Sequence, residues 1–414
     1  ITPGGLIVYS VMGDKDLYQT LYSSALKGSS LSKCFGAGLK KVNLVDFEQY
    51  ALLNDRYLSF ICAPLRNIEG SVEGVVALKI NKTKLNKIVQ RREGMGKSGE
   101  TFLFSRVNQD FYLRSDPVTL EGEFGEPISD EYKRKGILGE NQKGSYQNNL
   151  GQLEYSRQDP LDVPGMEWSM ATVMKMEEVI APDRGTGTKD YFGRYVEEYG
   201  YSDLYLITPA GYVFYSVLHR SDYGTNALTG LYAKTGLGKL FRKIHKTGEF
   251  GFEDFSAYSP AAGKASAFIG QPIVFDGNIE LVVALRLSIN NVNRMMQQRT
   301  GMGRTGETYL VGPDKLMRSD TFLDTERYSV QASFDQPLSG QMNTVASEAA
   351  LTGKTGEGVT SGYSGRQVLT AYSPLNVWGT TWAFIAEMDT AEAFESIELT
   401  KQLVGLTAAL GAMV

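Results

Sequence analysis

The sequence predicts an α+β fold: tandem modules in which helices flank short antiparallel sheets. Three observations carry this. Residues 94–116, GMGKSGETFLFSRVNQDFYLRSD, and residues 301–320, GMGRTGETYLVGPDKLMRSD, share GMG, GET, a Leu, an Asp and RSD in the same order. Around each copy the pattern changes from a helix-like run (86–92 and 293–299) to an apolar, β-rich segment (101–104 and 308–311). The repeat then extends on both sides, which marks a duplicated architecture.

Each joint needs glycine. Gly94 and Gly96, and Gly301 and Gly303, stand where a helix must stop and a strand begin. A hairpin is expected next, through 108–110 or 312–314. Upstream, ITP at 1–3 with LIVYSV at 6–11 matches ITP at 207–209 with YVFYSV at 212–217, each read as a β segment after a turn. Polar stretches with helical signals follow at 15–41 and 223–246. Leu237, Leu240, Phe241 and Ile244 repeat at i, i+3, i+4, i+7 and give one apolar face. Asp46, Phe47 and Tyr50 match Asp254, Phe255 and Tyr258. Two antiparallel strands are then expected, 57–65 and 72–80, matched by 265–273 and 279–287. After each joint come three closing strands: 144–149, 152–158 and 167–174, then 356–363, 367–372 and 381–388. Trp168 and Trp382 hold equivalent places, and a Trp there reads as core. Residues 185–188, GTGT, read as a linker, and 189–199 as a short helix with Tyr191, Tyr195 and Tyr199 in a stripe.

The expected division is 1–92 and 93–184 for the first pair of modules, then 185–300 and 301–396 for the second. Residues 397–414 are read as the start of a transmembrane helix. The apolar run LVGLTAALGAMV, from Leu403, is too short to span a bilayer but suits the first part of a span; a helix packed on the protein is the alternative. At 414 residues the chain is too long for one core, and a net charge of −5 argues against a nucleic-acid partner. Cys34 and Cys62 are the only cysteines; they read as two small buried hydrophobes, with a disulfide as the alternative in an oxidising compartment. His219 and His245 read as surface residues rather than metal ligands.

The segment LITPAGYVFYSV, the DYGTN of 222–226, the FEDFSAY of 252–258 and the joint of 301–320 together resemble double Cache sensor regions. These are the extracytoplasmic, PAS-like parts of bacterial methyl-accepting chemotaxis proteins and of some histidine kinases and cyclases. The resemblance is strong over 191–394. It is weaker over 1–180, where Gly13-Asp14-Lys15-Asp16 replaces DYGTN. It implies two tandem double units, a periplasmic or extracellular location, an inner-membrane anchor, a small-molecule ligand and a homodimer. The Arg, Trp-Tyr and Asp signature of the amine- and amino-acid-binding members is missing. All three tryptophans lie in the smaller modules.

No nucleophile–base set, zinc spacing or phosphate loop is present, so the chain does not read as an enzyme, and no cofactor or metal is expected. The paired RSD motifs, with Arg114 and Asp116 and with Arg318 and Asp320, read as structural. Arg318 would bridge Asp320 or hold the hairpin to the incoming helix, with an anion pocket as the alternative. Ligand contacts are expected in the larger module of the second pair: Tyr215, Tyr223, Asp254, Tyr258 and Gln271. Asp254 and Tyr258, four apart, would share a strand face. A carboxylate among aromatic rings favours a cationic or hydroxyl-bearing ligand. Tyr9, Asp46 and Tyr50 mark a vestigial counterpart. An adhesive or structural ectodomain is the alternative of another class.

Overall fold

The computed structural model describes residues 1–54, 56–107, 110–119, 122–128, 143–147, 152–182, 189–395 and 400–404. The fold is α+β. The chain divides into two units, 1–188 and 189–414, and among the described residues all strand pairs are antiparallel.

In the first unit α1 (Ser30–Gly38) packs on the sheet β1-β2-β3, formed by Asn43–Tyr50, Arg56–Arg66 and Val72–Asn81. Helix α2 (Lys82–Val89) leads to β4 (Glu100–Val107), β5 (Asp110–Leu113), β6 (Lys143–Gln147), β7 (Leu153–Val163) and β8 (Met166–Lys175), in the order β5-β4-β8-β7-β6, and α3 (Met176–Ile180) follows. The second unit opens with α4 (Tyr191–Tyr199), β9 (Asp203–Ile207), β10 (Val213–Ser216) and α5 (Gly236–Thr247). Strands β11 (Gly251–Tyr258), β12 (Lys264–Phe275) and β13 (Asn278–Arg286) complete the sheet β10-β9-β13-β12-β11. Helix α6 (Ile289–Met296) enters the smaller module: β14 (Glu307–Val311), α7 (Thr325–Tyr328), α8 (Val330–Asp335), α9 (Val345–Leu351), β15 (Gly356–Ser361), β16 (Gln367–Val377), β17 (Thr380–Asp389) and α10 (Thr390–Ala393), with sheet order β14-β17-β16-β15.

The i, i+3, i+4, i+7 stripe of α5 is fully buried, each side chain contributing roughly 2 kcal/mol. It lies close to the sheet because Gly270 and Gly251 have no side chain; a Cβ on Gly270 would come 2.6 Å from Ile244 Cδ1. At the joint Gly301 and Gly303 adopt φ of +82° and +61°, conformations that a Cβ penalises. Glu392, in the first turn of α10, accepts from the backbone N–H of Arg304 (2.6 Å) and Thr305 (2.8 Å). A Cβ on Gly303 would meet that carboxylate at 2.3 Å. Glu178 holds the first joint in the same way, through Ser98 N–H at 2.8 Å.

Several expectations need correction. Cys34 and Cys62 form a disulfide, with Cα atoms 5.7 Å apart. Residues 6–11 are not a strand; Leu6 makes only a bridge to Thr20. The matching β10 is a strand because β9 pairs with it; in the first unit Ile1, the counterpart of Ile207, meets β3 through two hydrogen bonds to Val75. The helices before the joints end at Val89 and Met296, earlier than expected. The turn at 108–109, the linker at 185–188 and the apolar run from 405 onward lie outside the described residues. Among the described residues no helix is long and apolar enough to cross a membrane; 400–404 are helical.

Candidate functional site

The five-stranded sheet of the second unit has one face under α5. Tyr205, Ile207, Val282, Ala284, Phe268 and Tyr258 lie there with the helix's stripe. Two residues further along their strands, Asp203 and Arg286 face the same way and sit directly opposite each other. The surface here turns from apolar to charged without becoming exposed: Asp203, Asp222 and Arg286 are all buried. The Tyr258 hydroxyl donates to Asp222 Oδ2. Asp203 Oδ1 accepts from the N–H groups of Leu204 (2.9 Å) and Leu218 (3.3 Å), and Arg286 Nη2 donates to the Ser202 carbonyl at 3.2 Å. Asp203 Oδ2, Tyr205 Oη, Asp222 Oδ1 and Arg286 Nε have no partner. Buried polar atoms without partners carry a desolvation penalty of about 1–3 kcal/mol each, and four gather in this cluster, which makes it the candidate site. Burial pushes the Asp203 carboxyl up, against the pull of Arg286. The Tyr258 hydroxyl is pushed far above its ordinary range by burial and by Asp222, so it is a fixed donor. A cavity of about 400 Å³ opens beside Arg286, with Arg220, Lys264, Ser266 and Asn293 also on its wall.

The predicted contacts do not come together as expected. Tyr258 is in this cluster, and Tyr223 is next to Asp222, its ring 4.4 Å from that of His219. Asp254 and Tyr258 do not share a face, because β11 is bulged between Glu253 and Ser256 and a bulge breaks the period of two. Tyr215 donates to Asp190 Oδ2 at 2.6 Å and packs on Phe192 of α4. Alternation along β12 puts Phe268 and Gly270 under α5, and leaves Gln271 exposed on the other face.

Asp254 belongs to a second constellation. Arg318 Nε and Nη2 grip its two oxygens at 2.9 and 2.8 Å, and Trp382 Nε1 donates to it at 3.2 Å. Arg318 is almost completely buried and also pairs with Asp314 at 3.0 Å. A Cβ on Gly312 would occupy the guanidinium's place, 2.1 Å from Cζ. This fork joins the unit's two sheets, since Asp254 is on β11 and Trp382 on β17. Asp320, expected as the partner of Arg318, instead accepts from Asn293 Nδ2 and Val330 N–H, both at 2.7 Å, and so holds α6.

The first unit repeats the fork. Arg114 Nη2 meets Asp46 Oδ2 at 2.9 Å, and Trp168 Nε1 donates to Asp46 at 3.2 Å. Asp116 accepts from Asn86 and Lys82 of α2. Tyr50 donates to Asp16 at 2.9 Å, as Tyr258 does to Asp222. Lys79 stands where Arg286 does and is paired with Asp14. Tyr9 is exposed on the wall of an open groove of about 580 Å³ along β3.

Sequence reasoning missed Asp203, Tyr205 and Arg286, and named Asp222 only as part of a loop. One signal was present: Arg286 is the charged residue that closes the apolar run LVVALRL at 281–287.

No protein-family model matches the sequence, and no curated protein matches it. Solved structures similar to the chain include the ligand-binding domain of the Pseudomonas aeruginosa PAO1 amino acid chemoreceptor PctB with L-Gln. The two are 17% identical with a TM-score of 0.33, over 51% of this chain and 76% of that one. The ligand-binding domain of the Pseudomonas fluorescens chemoreceptor CtaA with L-isoleucine is 12% identical, with a TM-score of 0.33, over 48% of this chain and 73% of that one. The periplasmic sensory domain of the Campylobacter jejuni chemoreceptor Tlp1 is 16% identical, with a TM-score of 0.30, over 39% of this chain and 57% of that one.

Proposed function

We propose that this chain is the extracytoplasmic sensing region of a transmembrane receptor of the chemotaxis type, built as two tandem double Cache units. Its small-molecule ligand is held in the first module of the second unit. The observation that carries the reading is the buried cluster of Asp203, Tyr205, Asp222, Tyr258 and Arg286, with four polar atoms left without partners. Two carboxylate oxygens call for donors, so the ligand carries an ammonium or hydroxyl group, and Arg286 Nε offers a donor to an acceptor on the same molecule. The Cys34–Cys62 disulfide supports a location outside the cytoplasm. The repeated motifs support the family. In this reading ligand binding passes through β17 to the C-terminal helix and the membrane, and the receptor works as a homodimer.

A thermal-shift screen of amines, amino acids, polyols and organic acids on the whole chain tests it. A ligand at a hundred times its Kd stabilises by about 2.7 kcal/mol, well within reach of the assay. Asp222→Asn and Tyr258→Phe should remove the shift, and Tyr50→Phe in the first unit should leave it. Loss of the shift in Tyr50→Phe alone, or in none of the three, would overturn the assignment.

A further inference from the structure

The smaller module of the second unit carries a carboxylate pair for which ligand binding has no use. Glu307 on β14 and Glu387 on β17 are directly opposed across the two strands, and both are buried. Two carboxylates so placed cannot both ionise at low cost. Their hydrogen bonds decide which one keeps the charge. Glu307 Oε2 accepts from the N–H groups of Phe322 (2.7 Å) and Leu323 (3.1 Å), and Oε1 accepts from the Tyr363 hydroxyl. Three donors thus meet its two oxygens. Glu387 has one donor, the Tyr309 hydroxyl at 3.1 Å.

The first unit supplies an internal control. Glu100 occupies the place of Glu307 and is likewise capped, by Val118 N–H at 2.6 Å and Thr119 N–H at 2.9 Å. Opposite Glu100, however, stands Val173, and Phe102 takes the place of Tyr309. Tyr309 and Glu387 have thus been exchanged together for Phe102 and Val173, which are both buried in an apolar cluster. The fold is complete with the apolar pair, so the second unit's Glu387 is not required to build it.

We propose that the second unit senses protons as a second input, by the gain and loss of a proton at Glu387 directly opposite the Glu307 carboxylate. Proton loss sets two like charges across the β14–β17 ladder. Strand β17 runs directly into α10, so the strain arises at the start of that helix. The groups facing Glu387 favour this assignment. Strand β14 offers Glu307 and Tyr309, the β15–β16 turn offers Tyr363, and α7 offers Tyr328, whose ring packs on Tyr363. On β17 itself Asp389 is turned to Arg366 at 2.7 Å. On α9, Glu348 is turned to Lys315 at 2.8 Å. Strand β16 places the uncharged Thr370 opposite. No lysine or arginine in this set reaches Glu387 to hold its negative charge. Burial and the neighbouring Glu307 accordingly raise its carboxyl to about 7, against the pull of Tyr309.

The test is amide hydrogen exchange of the whole chain at pH 6 and pH 8, corrected for the intrinsic pH dependence of exchange. No ligand is needed, so its outcome is separate from that of the ligand-binding reading. Protection of β14, β17 and α10 should fall about tenfold from pH 6 to pH 8, while that of β4 and β8 in the first unit stays level. Glu387→Gln, which is isosteric and carries no charge, should abolish the fall. Tyr309→Phe with Glu387→Val, the first unit's own pair, is a second variant that the fold already accommodates, and it should abolish the fall too. A fall that persists in either variant, or its absence from the unmodified chain, would overturn the proposal.

Discussion

Asp254→Asn should loosen the second unit by about 3 kcal/mol without touching the ligand cluster. Arg318 is 1% exposed and meets both Asp254 oxygens at 2.9 and 2.8 Å. Removing one partner of a buried ion pair costs about 3–5 kcal/mol, because the other charge stays buried. Asp314 still faces Arg318 at 3.0 Å, but its side chain is 41% exposed and its charge is screened, so the loss sits at the lower end of that range. Asparagine keeps one acceptor oxygen, enough for the Phe255 N–H on Oδ1 or for Trp382 Nε1 on Oδ2 but not for both, so the loss combines the charge with one hydrogen bond. The assay is urea unfolding in a Trp168→Phe background, where Trp378 and Trp382 report the second unit alone. Arg318→Met removes the charge from the other side, and the double variant closes the cycle. Because the two groups are in contact, the double variant should cost at least 1 kcal/mol less than the sum of the singles. Single losses under 1 kcal/mol that add within about 0.5 kcal/mol would refute the claim that this fork holds the two sheets together.

Reduction of the Cys34–Cys62 bridge, 28 residues apart, should destabilise the first unit by about 3.5 kcal/mol from loop entropy; melting with and without reductant checks this, and the second unit's transition should not move. Glu392 is held well below the usual carboxylate range, to about 2, by the backbone N–H groups of the joint and the Thr305 hydroxyl. A depressed carboxyl stabilises the fold above its unfolded value and ceases to do so as pH falls toward its folded one. The ordering of residues 303–305 should therefore persist at pH 5 and fade toward pH 2. In Glu392→Gln it should be weaker at every pH, as amide exchange at Arg304 and Thr305 would show.

Much of this protein is decided by local chemistry and was legible in the sequence. The α5 stripe, the glycine corners at 94–96 and 301–303 and the closing strands follow from periodicity and from φ preferences that a residue carries with it. The duplication needed only self-comparison, and it made Trp168 the counterpart of Trp382 and Asp46 the counterpart of Asp254. What the sequence could not decide is which side of a strand faces which partner once the period of two is broken. The bulge in β11 is set by pairing with β12, and it sent Asp254 to Arg318 while Tyr258 stayed under α5. Arg318 stands 64 residues after Asp254, so no window of sequence shows that the one neutralises the other. The cluster of Asp203, Asp222, Tyr258 and Arg286 likewise comes from β9, a loop, β11 and β13. It exists only when the sheet order β9-β13-β12-β11 brings those elements together, because burial and the loss of partners are properties of packing rather than of any residue's own chemistry.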